Sequence, residues 1–281
     1  MKKLNQILTI AIVAVLAFSG FEASAQKRHT VMFYNVENLF DTLNDPDIND
    51  EEFLPTAAKA WNSAKYTRKL QNIEQVLMGI AAANRDFPAV IGLSEIENRN
   101  VLEDIIVQGK LINGNYRICH HDSPDRRGVD VAFLYRPDRF EFEGQSALPV
   151  RMEEFPAMRT RDVVLMWGKI EGEQFCFMVA HWPSRSGGQA ASDPKRRAAA
   201  KVMRDAADSI HRANPACKVV MMGDFNDDPK DKSVSEILGG KRRIKDLEEG
   251  DMFNPFYQMH QDGHGSLAYQ DAWNIFDNIV V

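Results

Sequence analysis

The run Val219 to Met222 constrains the fold most, because an apolar stretch passes directly into a turn rich in oxygen ligands. A buried strand that ends in this way directs carboxylates to the mouth of a sheet, where hard cations and phosphates bind. Asp/Asn-rich turns also end strands without any chemistry, so this stretch alone leaves the two interpretations equal. The side chains concerned are Asp224, Asn226, Asp227 and Asp228.

The N-terminal segment predicts export. Two lysines precede an apolar core, and the small residues ending at Ala25 supply a cleavage site. We therefore expect residues 1–25 to be a secretory signal peptide and residues 26–281 to form one domain, in the periplasm or outside the cell. The apolar core is shorter than the ~20 residues that span a bilayer, so no transmembrane segment is expected in the mature protein. A retained N-terminal anchor is the alternative.

The composition limits the classes of ligand that the protein is expected to bind. The formal net charge of −6 gives little non-specific attraction to nucleic acid, so binding of DNA or RNA would depend on a local basic patch. An odd number of cysteines cannot all pair internally, and at least one buried thiol is expected. The cysteines are Cys119, Cys176 and Cys217, and their spacing does not predict a zinc site.

Polar side chains end several other predicted strands. The continuous apolar run Phe87 to Ser94 is typical of a strand buried on both faces. Further strands are predicted at residues 29–36, 116–121, 129–135, 162–170, 174–180 and 273–281. Helices are predicted at residues 67–83, 101–111, 193–212 and 233–238. The polar residues at the strand ends are Asn35, Glu37, Glu95, His181, Asp277 and Asn278.

The order of these motifs resembles the endonuclease/exonuclease/phosphatase superfamily, whose fold is that of the pancreatic-type deoxyribonucleases. The resemblance spans essentially the whole mature chain. G-D-F-N together with a strand-terminal Glu is fairly specific, whereas each alone is weak. The matching elements are Y-N-V-E-N-L-F-D from Tyr34, L-S-E-I-E-N-R from Leu93, R-G-V-D-V-A-F-L-Y-R from Arg127, H-W-P-S-R from His181, G-D-F-N-D-D-P from Gly223 and F-D-N-I-V-V from Phe276.

The resemblance implies an α/β (α+β) fold, a four-layer αββα sandwich of two mixed β-sheets face to face with helices outside. It also implies a divalent-metal site, usually Mg²⁺ with Mn²⁺ or Ca²⁺ as alternatives. Glu95 takes the position of the metal ligand, with Asn35 beside it as ligand or phosphate contact. His181 takes that of the contact to the scissile phosphate. Asp224 corresponds to the residue that orients or deprotonates the attacking water, with Asn226 fixing it.

One position departs from the family pattern. The family usually ends its last motif with Asp-His, and here Asp277 is followed by Asn278, which cannot shuttle a proton near pH 7. Either the metal and Asp224 suffice, or a nearby histidine such as His260 or His264 substitutes, or the site is weakened. We favour the first and count Asn278 among the substrate-phosphate contacts.

Arg127 is a further predicted phosphate contact, and other basic residues are candidates for a phosphate-binding patch. Solvated surface is the competing interpretation, and we favour it for Lys195, Arg196 and Arg197. No exposed aromatic hairpin is evident that would favour docking on a membrane. The other patch candidates are Arg126, Arg185, Lys195, Arg196 and Arg197.

These residues predict an exported, metal-dependent phosphoesterase, more readily a phosphodiesterase or nuclease than a monoesterase. DNA, RNA, a lipid and a small phosphate ester all stay open as substrates, and a monomer is expected. The contrasting hypothesis is a catalytically silent member that binds a phosphorylated or carbohydrate ligand, or a protein partner, for which Asn278 is the only direct support. The chain stops inside a predicted strand, so we suspect a further C-terminal piece or an unusually short last strand.

Overall fold

The computed structural model describes residues 27–269 and 271–281, so the predicted signal peptide lies outside the described residues. The strands are β1 (Val31–Leu39), β2 (Val90–Ile96), β3 (Arg117–His120), β4 (Asp130–Tyr135), β5 (Glu141–Leu148), β6 (Val163–Ile170), β7 (Glu173–His181), β8 (Lys218–Asp224), β9 (Gly240–Lys241), β10 (Met252–Phe253), β11 (Leu267–Tyr269), β12 (Ala272–Asn274) and β13 (Asp277–Val280). The α-helices are α1 (Ser63–Asn84), α2 (Arg99–Val107), α3 (Gln189–Ala213) and α4 (Phe256–Gln261). Across the described ranges, no helix has both the length and the apolar character needed to cross a bilayer.

Two mixed sheets form the centre of the fold. The first has the order β1-β2-β4-β3, with β1 and β2 parallel and the other neighbours antiparallel. The second has the order β13-β8-β7-β6-β5, with β7 and β8 parallel and the other neighbours antiparallel. Each sheet therefore contains a single parallel pair, and both pairs end in predicted site residues.

The two sheets pack face to face around an apolar core. Phe133 of β4 and Phe177 of β7 meet edge to face in this core, whereas the next residue, Leu134, packs on the opposite side of its sheet. The sheets approach closely at Gly92, where a Cβ atom would lie 2.5 Å from Sδ of Met222. Burial of both faces explains why these strands are continuous apolar runs.

Helices cover the outer face of each sheet. Apolar residues of α1 and α2 pack on the first sheet, and the small residues of α3 let that helix lie against the second. The predicted αββα sandwich is confirmed. The outer layers contain Leu70, Ile73 and Leu77 of α1, Val101 and Ile105 of α2, and Ala199, Ala200 and Met203 of α3.

Three helices begin earlier than the sequence pattern indicates, and α2, predicted from residue 101, begins at Arg99. Asn62 caps α1 by accepting a hydrogen bond from the backbone N–H of Lys65, so the helix starts at Ser63 and not at residue 67. α3 starts at Gln189 and not at residue 193, and Pro194 lies inside it. The hydroxyl of Ser192 donates to the carbonyl of Gly188 and helps to close this first turn.

The predicted strand at residues 273–281 is broken in two. Its first part is β12, which forms a hairpin with β11, and its second part is β13, which pairs with β8. Between them, the backbone N–H of Ile275 donates to Oδ1 of Asp228 at 2.8 Å. The side chain of Asp228 therefore takes the place of a neighbouring strand, which a local sequence pattern does not reveal.

All three cysteines are buried and free. Cys119 lies in the core between the sheets, so the prediction of at least one buried thiol is confirmed. Sγ of Cys176 and Sγ of Cys217 are 3.3 Å apart, which brings together two residues that are distant in the sequence.

Candidate active site

The carboxyl ends of the two parallel strand pairs meet at one edge of the sandwich. Asn35 lies opposite Ser94, which precedes Glu95, and His181 lies opposite Asp224. The amide nitrogen of Asn35 links the sheets, at 3.3 Å from Oε1 of Glu95 and 3.1 Å from Oδ2 of Asp224. A cavity of ≈ 710 Å³ opens here. The other predicted residues that line it are Arg127, Asn226 and Asp277.

Three side chains of this cavity are arranged as a cation site. One ligand atom from each of Glu95, His181 and Asp224 lies within 4.8 Å of the others. Within the described part of the chain, neither carboxylate has a lysine or arginine at ion-pair distance, and His181 is their only basic contact. Uncompensated carboxylates are the hard oxygen ligands that Mg²⁺ takes. The residues present therefore fit a divalent cation held by Glu95 and Asp224.

Asn35 presents its nitrogen, not its oxygen, to the carboxylates. Its Oδ1 instead accepts the backbone N–H of Glu37 at 2.8 Å. Because an amide N–H group cannot ligate a cation, this orientation does not fit the predicted role as a metal ligand, and the phosphate contact stays a prediction.

Glu95 occupies an unusual backbone conformation. Its φ of 63° is in the left-handed region, and the pairing of β2 with β4 shifts register between Ser94 and Ile96. A bulge of this kind re-aims a side chain at the end of a strand. Left-handed geometry costs energy in a residue with a Cβ atom, and such cost concentrates at functional sites.

Negative charge accumulates without compensation in the cavity. Burial raises the pKa of Asp224 to about 6, and the charge of Glu95 adds to this, against the hydrogen bonds from Asn226 and Asn35. Burial, with the nearby charge of Asp224, raises the pKa of Asp277 to about 7. Both shifts favour binding of a positive species here, either a proton or a cation.

His181 is buried and neutral. Burial and the positive charges of Arg161 and Arg127 hold its pKa well below the ordinary value of 6.5. Its Nε2 lies 3.7 Å from Oδ2 of Asp224, and its Nδ1 has no hydrogen-bond partner among the described residues. A neutral imidazole in this position can offer one N–H donor to a ligand in the cavity.

A model of the endonuclease/exonuclease/phosphatase family matches residues 30–281. The chain belongs to this family. Members hydrolyse phosphoric esters, typically with a divalent metal, and the protein is therefore a phosphoric ester hydrolase of this metal-dependent class. The predicted family and enzyme class are confirmed. The sequence has no significant match among curated proteins.

Solved structures of the family share the fold. TDP2 from Caenorhabditis elegans aligns with a TM-score of 0.57 and 16% identity, covering 95% of this chain and 72% of that one. A mannosyl-6-phosphatase from Bacteroides thetaiotaomicron gives 0.55 and 16%, covering 90% and 85%. The catalytic domain of human nocturnin, with bound sulfate, gives 0.52 and 16%, covering 75% and 74%.

Two arginines line the catalytic cavity, one half exposed and the other buried. Arg127, predicted from the sequence, is half exposed, and its Nε is 3.7 Å from Oδ1 of Asp125, so its guanidinium is free to meet a ligand. Arg161 was not predicted. It is buried in the wall of the cavity, where it pairs with Oδ2 of Asp125 at 2.9 Å and donates to the carbonyls of His181 and Trp182 at 3.0 and 2.8 Å. The signal available was a charge placed directly before a buried apolar strand.

The acidic turn after β8 divides between the site and the scaffold. The backbone N–H of Asn226 donates to Oδ1 of Asp224 at 2.9 Å, and its side chain donates to the carbonyl of Trp182 at 3.0 Å. Asp227 points away from the cavity and pairs with Arg196 at 2.8 Å. Asp228 is likewise turned away and accepts the N–H of Ile275. The turn therefore contributes Asp224 and Asn226 to the cavity, and its other two acidic residues support the structure.

Arg185 and Arg196 do not belong to a phosphate-binding patch. Nη2 of Arg185 lies 2.8 Å from Asp231 and 3.2 Å from Asp227, and its guanidinium covers the ring of Phe276. Arg196 is fully buried. Both guanidinium groups form ion pairs with carboxylates of the same chain. The polar sequence around them does not reveal these pairs, and the prediction that Arg196 is solvated surface is wrong.

The prediction that Asn278 contacts the phosphate is wrong for this geometry. Asp277 lines the cavity, but the next residue of β13 faces the other way and is 0% exposed. Its Oδ1 accepts from Asn254 at 3.0 Å, and its nitrogen donates to the carbonyl of Ile275 at 3.0 Å. A histidine at position 278 would also face away from the cavity.

The histidines considered as substitutes do not line the cavity either. His260 lies 3.4 Å from Oδ1 of Asp228, behind the acidic turn. His264 is exposed. Among the described residues, His181 is the histidine that lines this cavity.

Proposed function

We propose that this protein is an exported phosphodiesterase that hydrolyses a P–O bond with a divalent cation, preferably Mg²⁺. The observation that carries the proposal is the cluster of Glu95, His181 and Asp224, whose ligand atoms lie within 4.8 Å of one another. Phosphoryl transfer requires mainly positioning and charge stabilisation, and this cluster combines acidic ligands with a neutral donor.

Glu95 and Asp224 would hold the cation. When bound, it supplies positive charge to the phosphate and favours ionisation of water near neutral pH. Asp224 is held on both oxygens, by the N–H of Asn226 at 2.9 Å and the amide of Asn35 at 3.1 Å. A carboxylate fixed in this position would orient the attacking water, whose ionisation the bound cation favours.

Donors surround the position of the phosphate. The Nε2–H of neutral His181 and the half-exposed guanidinium of Arg127 stabilise the charge that develops on the phosphoryl oxygens. Arg161 acts from the wall of the cavity, because it holds the carbonyl of His181 at 3.0 Å and so positions the imidazole. None of these roles requires a second histidine.

A diester is favoured over a monoester because the space that adjoins the catalytic cavity could hold a second ester group. The catalytic cavity continues past Ser184 and Phe276 into a second cavity of ≈ 760 Å³. The family neighbour named mannosyl-6-phosphatase supports the monoester alternative, so both ester classes belong in the test.

Activity on bis-p-nitrophenyl phosphate, p-nitrophenyl phosphate, plasmid DNA and RNA tests the proposal, with Mg²⁺ or Mn²⁺ and with a chelator. We expect cation-dependent hydrolysis of the diester and a loss of about 10²-fold or more in Glu95→Gln and Asp224→Asn. Asp205→Asn, on the exposed face of α3, is the matched control and should behave as wild type. Absence of all hydrolysis, or equal rates in wild type and all three variants, would refute the proposed activity and site.

Export is the second part of the proposal and rests on the N-terminal pattern that ends at Ala25. Expression with the native N-terminus, followed by cell fractionation and intact-mass measurement, should give an extracytoplasmic protein that begins at Gln26. A cytoplasmic protein of full mass would contradict export and leave the catalytic proposal untouched. We also propose a monomer, which the same preparation tests by light scattering.

A further inference from the structure

A second cavity adjoins the catalytic one. It has a volume of ≈ 760 Å³ and shares Ser184, Leu267 and Phe276 with the catalytic cavity. One wall is the loop of residues 184–189 that leads into α3, and the other is the hairpin of β11 and β12. A group attached to a phosphate in the catalytic cavity would extend directly into this space.

Most polar groups of the lining are neutral and able to form hydrogen bonds. Ser186, Gln189 and Asn274 contribute hydroxyl and amide groups, and the positions where Gly187 and Gly188 would carry a Cβ atom open onto free space. Hydroxyls and amides both donate and accept, so they match ligands that do the same.

Arg185 is the charged residue of this lining, and its charge is already compensated. Its Nη2 lies 2.8 Å from Asp231, and its guanidinium is 4.4 Å from the centre of the Phe276 ring. An anion in the cavity would therefore lose its water without gaining a free cation, which is unfavourable. A polynucleotide would bring a further phosphate to this side within one residue.

Apolar surface completes the lining. Leu267, Ala272 and Phe276 lie among the polar groups. Mixed apolar and neutral hydrogen-bonding walls suit an uncharged ring or chain that carries several hydroxyl groups. The volume falls within the roughly 300–1,000 Å³ that small-molecule sites occupy.

We propose that this second cavity binds the uncharged, hydroxyl-rich alcohol group of the phosphate ester, such as a sugar or polyol, and so selects a small diester over a polynucleotide. The proposal deepens the proposed function and rests on it, because the phosphate of the same substrate lies in the catalytic cavity.

The hairpin provides a matched pair of variants. Ala272 lines the cavity, whereas Ala268 pairs with Trp273 and lies on the opposite face of the hairpin. Ala272→Trp should fill the cavity, and Ala268→Trp places the same bulk outside it. Gln189→Trp fills the cavity from the α3 side and guards against a hairpin that fails to form.

Binding is tested first, without turnover. Saturation-transfer NMR of the full chain in a chelator, with glucose and glycerol as probes, should show contact in wild type and in Ala268→Trp. The signal should be lost in Ala272→Trp and Gln189→Trp. Absence of a signal in wild type, or an equal signal in all four proteins, would overturn the proposal.

Selectivity is tested with glycerophosphoglycerol and a thymidine decanucleotide. We expect wild type to prefer the former, and Ala272→Trp to lower its kcat/KM about 10-fold to 100-fold, as for a misplaced substrate. Ala268→Trp should not change it. Preference for the decanucleotide would overturn the proposal. If bis-p-nitrophenyl phosphate is also not hydrolysed, the proposed function fails as well, and the NMR result still decides whether the cavity binds polyols.

Discussion

Asp277 and Asn278 are adjacent in the sequence but have different roles, one in the catalytic cavity and one in the scaffold. Asp277 faces the catalytic cavity, and its neighbour on β13 faces the scaffold, where it bonds to Asn254 at 3.0 Å. In a strand, adjacent side chains point to opposite faces, so an Asp-Asn pair cannot place both side chains in one cavity. Asn278 is therefore a residue of the scaffold, and its identity gives no support to a silent protein.

Asn278→His should reduce stability and should not raise turnover. The larger ring must fit a site that is 0% exposed, and it leaves the amide of Asn254 without its acceptor. Overpacking with a lost buried hydrogen bond costs about 2–4 kcal/mol. Urea denaturation measures the loss.

Asn278→Ala is the control, because it removes the hydrogen bonds of the side chain without adding bulk. An increase in kcat for Asn278→His without loss of stability would contradict the orientation described here.

The sequence predicts site residues well where they follow apolar strands. Glu95, His181 and Asp224 all meet in one cavity because parallel neighbours end at the same edge of a sheet. Arg161 escapes prediction because its function depends on Asp125, which is distant in the sequence. The same limit applies to Asn278, since strand direction fixes its face only after pairing is known.

At the scale of secondary-structure elements, the sequence predicts strands and helices but not their breaks. β4 and β7 are buried on both faces and read directly as apolar runs. The break before β13 depends on the side chain of Asp228, which supplies a hydrogen bond that a strand would otherwise provide. Long-range polar contacts of this kind have no local signature.

The buried Arg161 connects three loops, and Arg161→Met should break that connection. The variant leaves Asp125 buried and removes the donor to the carbonyls of His181 and Trp182. Removal of one partner of a buried pair costs about 3–5 kcal/mol. Chemical denaturation measures this cost.

The double variant Arg161→Met with Asp125→Asn is the control, since no uncompensated charge remains in it. Recovery of part of the lost stability is expected. A loss below about 1 kcal/mol in the single variant would show that the pair is not a structural link.

Cys176 on β7 and Cys217 just before β8 should form a disulfide when the protein folds under oxidising conditions. Their sulfurs are 3.3 Å apart across 41 residues of sequence, and a bridge over this span contributes about 4 kcal/mol. Burial raises the pKa of Cys176 to about 12, so oxidation should require refolding with glutathione disulfide.

Thiol counting and thermal unfolding measure the outcome. One free thiol, that of Cys119, is expected after oxidation, and Cys217→Ser should show no response to the oxidant. Three free thiols after oxidative refolding would contradict the prediction.

For the whole molecule, the buried carboxylates that the site needs lower the stability of the fold when they are charged. The two sheets bring carboxylates from both layers to one edge, and burial raises the pKa of Asp224 to about 6 and of Asp277 to about 7. Burial also raises the pKa of Glu97 to about 7. Each group binds a proton more tightly in the folded state than in the unfolded state.

The free energy of unfolding of the chelated protein should therefore fall as pH rises from about 4.5 to about 6. Asp224 alone contributes about 1.5 kcal/mol to this change. His181 acts in the opposite direction below about pH 6.5, because its folded pKa lies below its ordinary value of 6.5 and only the unfolded state gains the proton there; the three carboxyl groups outweigh this single histidine. Thermal unfolding across this range, with a chelator and with Mg²⁺, measures both effects.

Mg²⁺ should stabilise the protein more at about pH 7.5 than at about pH 5, because its ligands must be deprotonated. Asp277→Asn should flatten the pH dependence of the chelated protein. Stability that rises between pH 5 and 6 in the chelator would contradict the charge distribution described here.

The left-handed backbone of Glu95 bears on how this protein would respond to selection in the laboratory. At a φ of 63°, glycine would relieve about 1–2 kcal/mol of strain that glutamate maintains. Glycine would also remove a carboxylate that repels Asp224 when no cation is bound. A directed-evolution screen that selects for heat resistance alone should therefore enrich glycine at position 95. Such variants would gain thermal stability and lose catalytic activity.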